Sequence, residues 1–228
     1  MKILIFIVAF ALLSITASAQ RLSRITLTSS GVSDIISFLT DDAVFINLTK
    51  DGIIIDWGIE PTVMRYNNYP GKLDPYMGGV EYFSITDNDD VKGKVRYIGR
   101  TAFTYFSSTE NELFKGKVKS IGSVYFDYYD AYSDAASKGN IKNAGIYPFS
   151  YYTAFDNEAY KGRIKNAGSS LLTYYASYDD KAYKGKIKSI DNINFNYYSS
   201  FDKREYQGSL KERNQLQYII HGIKYYLR

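Results

Sequence analysis

The chain of 228 residues contains no cysteine, a single histidine and a single tryptophan. Without cysteine it cannot form a disulfide, a thiolate zinc site or a Cys-His catalytic pair, so its stability must come from packing and strand pairing. The histidine, His221, is the only base available to a Ser-His-Asp triad, and no G-x-S-x-G motif accompanies it. We therefore expect a protein that is not an enzyme and that uses no metal or other cofactor.

Long apolar runs are lacking beyond the first residues. After Lys2, the apolar residues 3–13 are followed by Ala17-Ser18-Ala19, which is the pattern of a secretory signal peptide with cleavage after Ala19. The run is too short for a membrane-spanning helix and no later stretch approaches the required length, so we expect no transmembrane segment. Residues 1–19 are thus predicted to direct export to the periplasm, the cell surface or the medium.

The charge balance is nearly even, because 28 lysine and arginine residues face 24 aspartate and glutamate residues. A formal net charge of +4 is too small to indicate nucleic acid binding, and no specific nucleic acid partner is expected. Aromatic residues, in contrast, are abundant, with 24 tyrosines and 13 phenylalanines. Since tyrosine favours strands and half-buried faces, the composition predicts an all-β fold.

The dominant feature is a 23-residue unit that is repeated five times without a gap over residues 93–207. Its anchoring glycines, taken here as position 0, are Gly93, Gly116, Gly139, Gly162 and Gly185. Residues 71–92 form a degenerate leading copy and residues 208–228 a truncated sixth copy. No Ser- or Gly-rich linker separates this array, residues 71–228, from residues 20–70. One continuous sheet is therefore expected rather than two independent domains.

Each repeat contains two stretches in which apolar and polar residues alternate, as they do in a strand. A turn at position +6, glycine in four copies, and an acidic turn near position +17 separate them, so each unit is predicted to be a hairpin. Gapless hairpins that pair edge to edge predict an antiparallel β-meander of stacked repeats in one extended or curved sheet. The position-0 glycine is expected to leave room for a neighbouring aromatic ring, so Gly162→Val would crowd the aromatic layer.

Two local signals occur in residues 20–70. The β-rich stretches 43–50 and 53–58 are joined by Asp51-Gly52, which predicts a hairpin with a type I′ turn. Apolar residues at helical spacing allow one short helix in the preceding segment. These residues are Val32, Ile35, Ile36 and Leu39.

The repeat resembles a known family. The spacing Tyr-x-Gly-x-aliphatic, seen at residues 160–164 and 183–187, is similar to that of the MORN repeat and of related exported bacterial hairpin repeats. The resemblance implies an elongated, single-layered hairpin sheet that serves as a scaffold or a surface-binding module. The chain departs from the MORN pattern because it lacks the second paired glycines and the usual tryptophan after Tyr-x-Gly.

Two columns of equivalent residues are candidate ligand-binding surfaces. Position +3 is basic in every copy and continues to Lys211, and position +12 is tyrosine in every full copy. In stacked hairpins, equivalent residues recur every two strands, about 9.5 Å apart, so each column would form a straight row. The candidates are Arg96, Lys119, Lys142, Lys165 and Lys188 in the basic column, and Tyr105, Tyr128, Tyr151, Tyr174 and Tyr197 in the tyrosine column.

These columns allow two interpretations. The tyrosines could stack on sugar rings or contact a partner protein, and the basic residues could bind an envelope polysaccharide or lipopolysaccharide. Alternatively, the lysines form the solvated face that protects a sheet from aggregation, and the tyrosines form the inner face of a curved or closed sheet. The second interpretation is favoured for the lysines, because the acidic turns offset their charge.

The acidic turns raise a third and more distant alternative, a glycan hydrolase that uses Asp156, Asp179 and Asp202. Aspartate is common in turns because it bonds to the backbone, and none of the acidic clusters matches a calcium loop. His221 falls at position +13, where the other copies have aromatic rings, and is interpreted as one ring replacing another. The sequence thus favours an exported, non-enzymatic protein that serves as a structural or interaction surface, with a glycan- or anionic-polymer-binding module as the alternative.

Overall fold

The computed structural model describes residues 20–28, 34–61, 71–212 and 217–227, and the predicted signal peptide lies outside them. Within these ranges, seventeen strands and one short 3-10 helix, Glu112–Phe114, are present. The strands are β1 Arg21–Leu27, β2 Ile35–Leu39, β3 Phe45–Thr49, β4 Ile54–Gly58, β5 Val80–Tyr82, β6 Val95–Ile98, β7 Thr101–Tyr105, β8 Val118–Ile121, β9 Val124–Tyr128, β10 Ile141–Ala144, β11 Tyr147–Tyr151, β12 Ile164–Ala167, β13 Ser170–Tyr174, β14 Ile187–Ile190, β15 Ile193–Asn194, β16 Gln217–Ile220 and β17 Ile223–Leu227. The predicted all-β class is confirmed.

The repeats form the larger sheet, an antiparallel meander of eleven strands in which β5 to β15 lie side by side in chain order. Each full copy supplies two consecutive strands, as the alternation predicts. The degenerate copy supplies only its second strand, β5, which pairs with β6 through Val80 opposite Ile98. Because each strand pairs with its neighbours in the sequence, the 23-residue unit is sufficient to predict the meander.

The smaller sheet has six strands in the order β16-β17-β1-β2-β3-β4. It contains the parallel pair β1–β17, in which Ile25 lies opposite Tyr225. The prediction of one continuous sheet is therefore wrong. The sixth copy begins with a bridge between Tyr197 and Leu210, but residues 217–227 join the N-terminal strands instead of extending the meander. Burial of alternate side chains, with Tyr225 fully buried, stabilises this pairing.

The two sheets pack face to face around one hydrophobic core. A single cluster of buried apolar side chains contains residues from both sheets. Phe38 of the smaller sheet meets Phe126 of the larger one edge to face, with ring centroids 5.1 Å apart, and Phe195 meets Tyr218 at 5.0 Å. The chain is thus a two-layered β structure with two open sheets, whereas the MORN resemblance implies a single layer.

The predicted hairpin at Asp51-Gly52 is confirmed by the pairing of β3 with β4. Its turn differs from the predicted type I′ turn, because Gly52 has φ +82° and Asp51 has no positive φ. The Thr49 N–H donates to Ile53 O at 2.9 Å, so the loop is the three residues 50–52, as in a type I turn followed by a glycine bulge. The short helix is wrong where the structure describes it. Residues 35–39 form strand β2 between β1 and β3, and Val32 lies outside the described ranges.

The position-0 glycines lie in turns and not in strands. Gly185 has φ +75°, its N–H donates to Tyr175 O at 2.8 Å, and strand β14 begins only at Ile187. The glycine is needed because an L side chain is strained in this left-handed conformation. Glycine is thus required at this position by its positive φ, and not by the expected need to make room for an aromatic ring.

His221 lies in the turn between β16 and β17, with φ +49°, followed by Gly222 with φ +78°. It therefore does not replace an aromatic ring in the repeat sheet. Its Nε2 atom lies 3.3 Å from Asp191 Oδ2, which joins the tip of the C-terminal hairpin to the turn between β14 and β15. The exposed histidine thus lies at a contact between a turn of the smaller sheet and a turn of the larger one.

Candidate binding surfaces of the repeat sheet

The tyrosines at position +12 belong to the core. Tyr105, Tyr128, Tyr151 and Tyr174 are buried, and Tyr197 is half-buried. Each of the first four donates its hydroxyl to the carbonyl of the position +2 residue of its own repeat, as Tyr151 does to Ile141 O at 2.9 Å. Burial raises the pKa of Tyr151 and Tyr174 well above the usual value. The tyrosine column is therefore part of the core and is not an open ligand surface.

The basic residues at position +3 lie on the outer face of the larger sheet. Each cationic group lies over the ring at position +13 of the preceding copy, as Lys165 does over Tyr152 at 5.5 Å and Lys188 over Tyr175 at 5.6 Å. Such cation–π contacts fix the lysine stems while their charges stay in water. The column of Arg96, Lys119, Lys142, Lys165 and Lys188 is thus assembled by the fold, with Lys119 half-buried and the others exposed.

Acidic turns border this basic column. Lys119 forms an ion pair with Glu110 of the preceding turn. Hydrogen bonds from Thr153 and, to a smaller extent, the charge of Lys165 lower the pKa of Asp156. The neighbouring part of the outer face is a row of hydroxyl and amide pairs, such as Thr173 with Ser189 at 2.7 Å. The outer face is therefore polar and mixed in charge, and it lacks the single-sign field that steers a polyanion.

The basic residues at position +1 have a structural role. Lys117, Arg163 and Lys186 each donate to the carbonyl of the next position-0 glycine, at 2.5, 2.7 and 2.5 Å. Each cation also lies over the position +12 tyrosine ring of its own repeat. Burial lowers the pKa of Lys117 and Lys186. These cations link successive repeats and are not available as a ligand-binding column.

One copy lacks the position +1 cation, and a lysine from the smaller sheet takes its place. Asn140 occupies position +1, and its side chain donates to Ala136 O at 3.1 Å, so it does not reach Gly162. Lys50, from the loop between β3 and β4, donates instead to Gly162 O at 2.8 Å. The same loop accepts a bond from Ile141 N at Lys50 O, at 2.8 Å. The loop is therefore an integral part of the repeat array.

We expect Lys50→Met to lower the free energy of unfolding by about 1–3 kcal/mol, because the carbonyl of the buried Gly162 loses a charged donor. A second change, Asn140→Lys, should restore much of this loss by supplying the position +1 lysine found in other repeats. Urea unfolding of the two single variants and the double variant measures both the loss of stability and its restoration. Equal stability of the Lys50→Met protein and the Lys50→Met/Asn140→Lys protein would contradict the compensation.

The turn carboxylates are used by the turns themselves. Asp156 Oδ2 accepts from Thr153 N and Oγ1 at 2.6 and 2.8 Å, and these bonds lower the pKa of Asp156. Asp179 accepts from Ala176 N, and Asp202 from Ser199 N, in the same way. Among the described residues, no group of three or more His, Cys, Asp or Glu side chains could hold a metal ion. The arrangement fits turn chemistry, because each of these carboxylates accepts hydrogen bonds from the backbone of its own turn.

Sequence reasoning missed a different aromatic column at position +16. Tyr132, Phe155, Tyr178 and Phe201 are 97, 97, 85 and 95 % exposed, and we call them the aromatic turn column. Phe155 precedes Asp156, whose N–H closes the turn by donating to Thr153 O. Turns usually contain small or polar residues at such positions. The occurrence of an aromatic residue at the same turn position in four consecutive copies is the sequence pattern that indicates this column.

No helix in the described part of the chain is long and apolar enough to cross a membrane. The resemblance to MORN repeats is carried by the residue spacing alone. Comparisons of the chain with protein-family models, curated proteins and solved structures find no match.

Proposed function

We propose that this chain is an exported, non-enzymatic β-repeat protein that acts as an interaction surface in the cell envelope or outside the cell. The observation that carries the proposal is the aromatic turn column, four nearly fully exposed rings at the same position of consecutive repeats. Scattered exposed apolar residues are ordinary, whereas a regular row of large rings is typical of a binding surface. The signal-peptide pattern of residues 1–19 supports the proposed export.

The rest of the architecture supports this role. The smaller sheet occupies one face of the repeat sheet, and no other strand among the described residues pairs along the turn edge or covers the outer face. Hydrogen bonds between successive turns, such as Ser177 N to Asn157 Oδ1 at 2.9 Å, keep the turns in register. A rigid surface binds at a lower entropic cost than a flexible one.

A second candidate function is binding of an anionic polymer such as lipopolysaccharide or an acidic glycan. It is favoured by the exposure of Arg96, Lys142, Lys165 and Lys188 on one face. It is weakened by the acidic turns beside them. Salt-sensitive binding to heparin or lipopolysaccharide that is lost when Lys142, Lys165 and Lys188 become glutamate would support this candidate.

The proposal is tested by replacing all four rings of the aromatic turn column with serine in the chain from residue 20 onward. The unchanged protein and the variant are compared for binding to neutral polysaccharides, heparin and anionic vesicles, and for self-association by sedimentation. We expect the unchanged protein to engage at least one of these classes and the variant to lose that interaction while keeping its unfolding midpoint. Absence of any interaction, or equal binding by the variant, would reject the proposal.

A further inference from the structure

We infer that the aromatic turn column binds an extended, uncharged polysaccharide that runs along the repeat array. This inference rests on the proposed interaction surface and names its ligand class. The column consists of Tyr132, Phe155, Tyr178 and Phe201, which differ from the tyrosines and lysines singled out in the sequence. Three properties of the column support the inference, namely its spacing, its charge environment and its rigidity.

The spacing fits a polymer with a regular repeat. Equivalent residues of adjacent hairpins are separated by two strands, about 9.5 Å. This is close to the length of one disaccharide unit in an extended β-linked glycan, whose sugar rings present apolar C–H faces. Successive rings of the column can therefore stack on every second sugar of one chain. An irregular protein surface would match this period at isolated points only, whereas an extended β-linked polysaccharide matches it over the whole row.

The charge environment favours an uncharged ligand. The carboxylates beside the rings are hydrogen-bonded within the turns, as Asp179 is to Ala176 N and Asp202 to Ser199 N. Exposed lysines such as Lys161 and Lys184 also lie in these turn segments, so both signs of charge are present. A surface of mixed sign attracts neither polyanions nor polycations strongly, and stacking on an aromatic face does not require a charged sugar.

The turns hold the rings at fixed intervals. Asp180 accepts hydrogen bonds from Ser200 N and Oγ in the next copy, at 3.0 and 2.8 Å, and Asp134 accepts from Ala154 N at 2.9 Å. Backbone positions of the rings are therefore linked from copy to copy. Only the side-chain rotations of the rings need to be restricted on binding, which keeps the entropic cost low.

The experiment measures binding of residues 20–228 to four neutral probes. These are the insoluble polymers microcrystalline cellulose and chitin, and the soluble oligosaccharides cellohexaose and chitohexaose, whose binding is measured by calorimetry. We expect binding to at least one of these probes that is insensitive to high salt. Phe155→Ala and Tyr178→Ala should each weaken it roughly 3- to 10-fold, which corresponds to one lost stacking contact. Tyr125→Ala is the matched control, because this ring is 69 % exposed on strand β9 outside the column. It should leave binding unchanged.

Two outcomes overturn the inference. The first is absence of binding to every neutral probe, and the second is binding that Phe155→Ala and Tyr178→Ala leave intact. If the protein instead binds heparin or anionic vesicles, or self-associates, through the same column, the polysaccharide inference fails while the interaction surface stands. If none of these classes is engaged, the proposed function fails as well. Unfolding midpoints confirm that each variant is folded.

Discussion

Gly185→Ala is expected to lower the free energy of unfolding by about 2–4 kcal/mol, through two separate effects. Gly185 has φ +75°, a conformation that costs an L residue about 1–2 kcal/mol. In addition, an added Cβ atom would lie 2.8 Å from the carbonyl oxygen of Ala159 in the preceding copy, so backbone must shift. The shift would disturb the contact between successive repeats, which is where the meander is held together.

Gly93→Ala is the matched control for this prediction. Gly93 occupies the same repeat position with φ +73°, but nothing lies within 4 Å of an added Cβ atom. It should therefore show only the backbone effect, about 1–2 kcal/mol. Chemical denaturation of both variants measures the difference. If Gly93→Ala is as destabilising as Gly185→Ala, close approach between repeats contributes nothing and the prediction is wrong.

Phe126→Ala is expected to lower the free energy of unfolding by about 3–5 kcal/mol, because a large ring is removed from the core between the two sheets. Phe126 is 2 % exposed and meets Phe38 of the smaller sheet edge to face. Phe38→Ala should have an effect of similar size. Since the two rings contact each other, the double variant should lose about 0.5–1.5 kcal/mol less stability than the sum of the losses of the two single variants.

Phe155→Ala provides the control for ring removal without burial. Its ring is 97 % exposed, so this substitution should change the free energy of unfolding by no more than about 0.5 kcal/mol. Urea unfolding of the single variants and of the Phe38→Ala/Phe126→Ala protein completes the cycle. Strict additivity of the two core substitutions would mean that the sheets do not pack as the structure shows. A large loss for Phe155→Ala would mean that the aromatic turn column is part of the core.

Much of the repeat sheet could be predicted because its pairing is local. Position +2 is aliphatic in every copy and position +10 apolar in every full one, as Ile187 and Phe195 are, and both become buried. Each strand pairs with its sequence neighbours, so one 23-residue unit contains the information for its own hairpin. The N-terminal hairpin was found for the same reason, although loop residues 50–52 form a different turn from the one predicted.

The candidate site could be predicted only in part. Basic residues at position +3 were placed correctly on a polar outer face, because alternation in a strand separates the two faces. The tyrosines at position +12 were open to two interpretations, since alternation shows that residues share a face and does not show what covers it. The aromatic turn column was missed because the aspartates that follow three of its rings, such as Asp156 after Phe155, are sufficient to predict the turns, and strand alternation does not extend to turn residues.

By itself, the sequence determined the all-β class, the hairpin repeat and the order of strands β5 to β15, because these depend on alternation and on contacts between neighbours in the chain. Only the tertiary structure decided that β17 pairs with β1 and so brings β16 into the N-terminal sheet, that Tyr151 and its equivalents belong to the core, and that Lys50 donates to the Gly162 carbonyl. These features join segments that lie far apart in sequence. Apolar burial drives such packing without directional preference, so no local pattern specifies which surface will cover which.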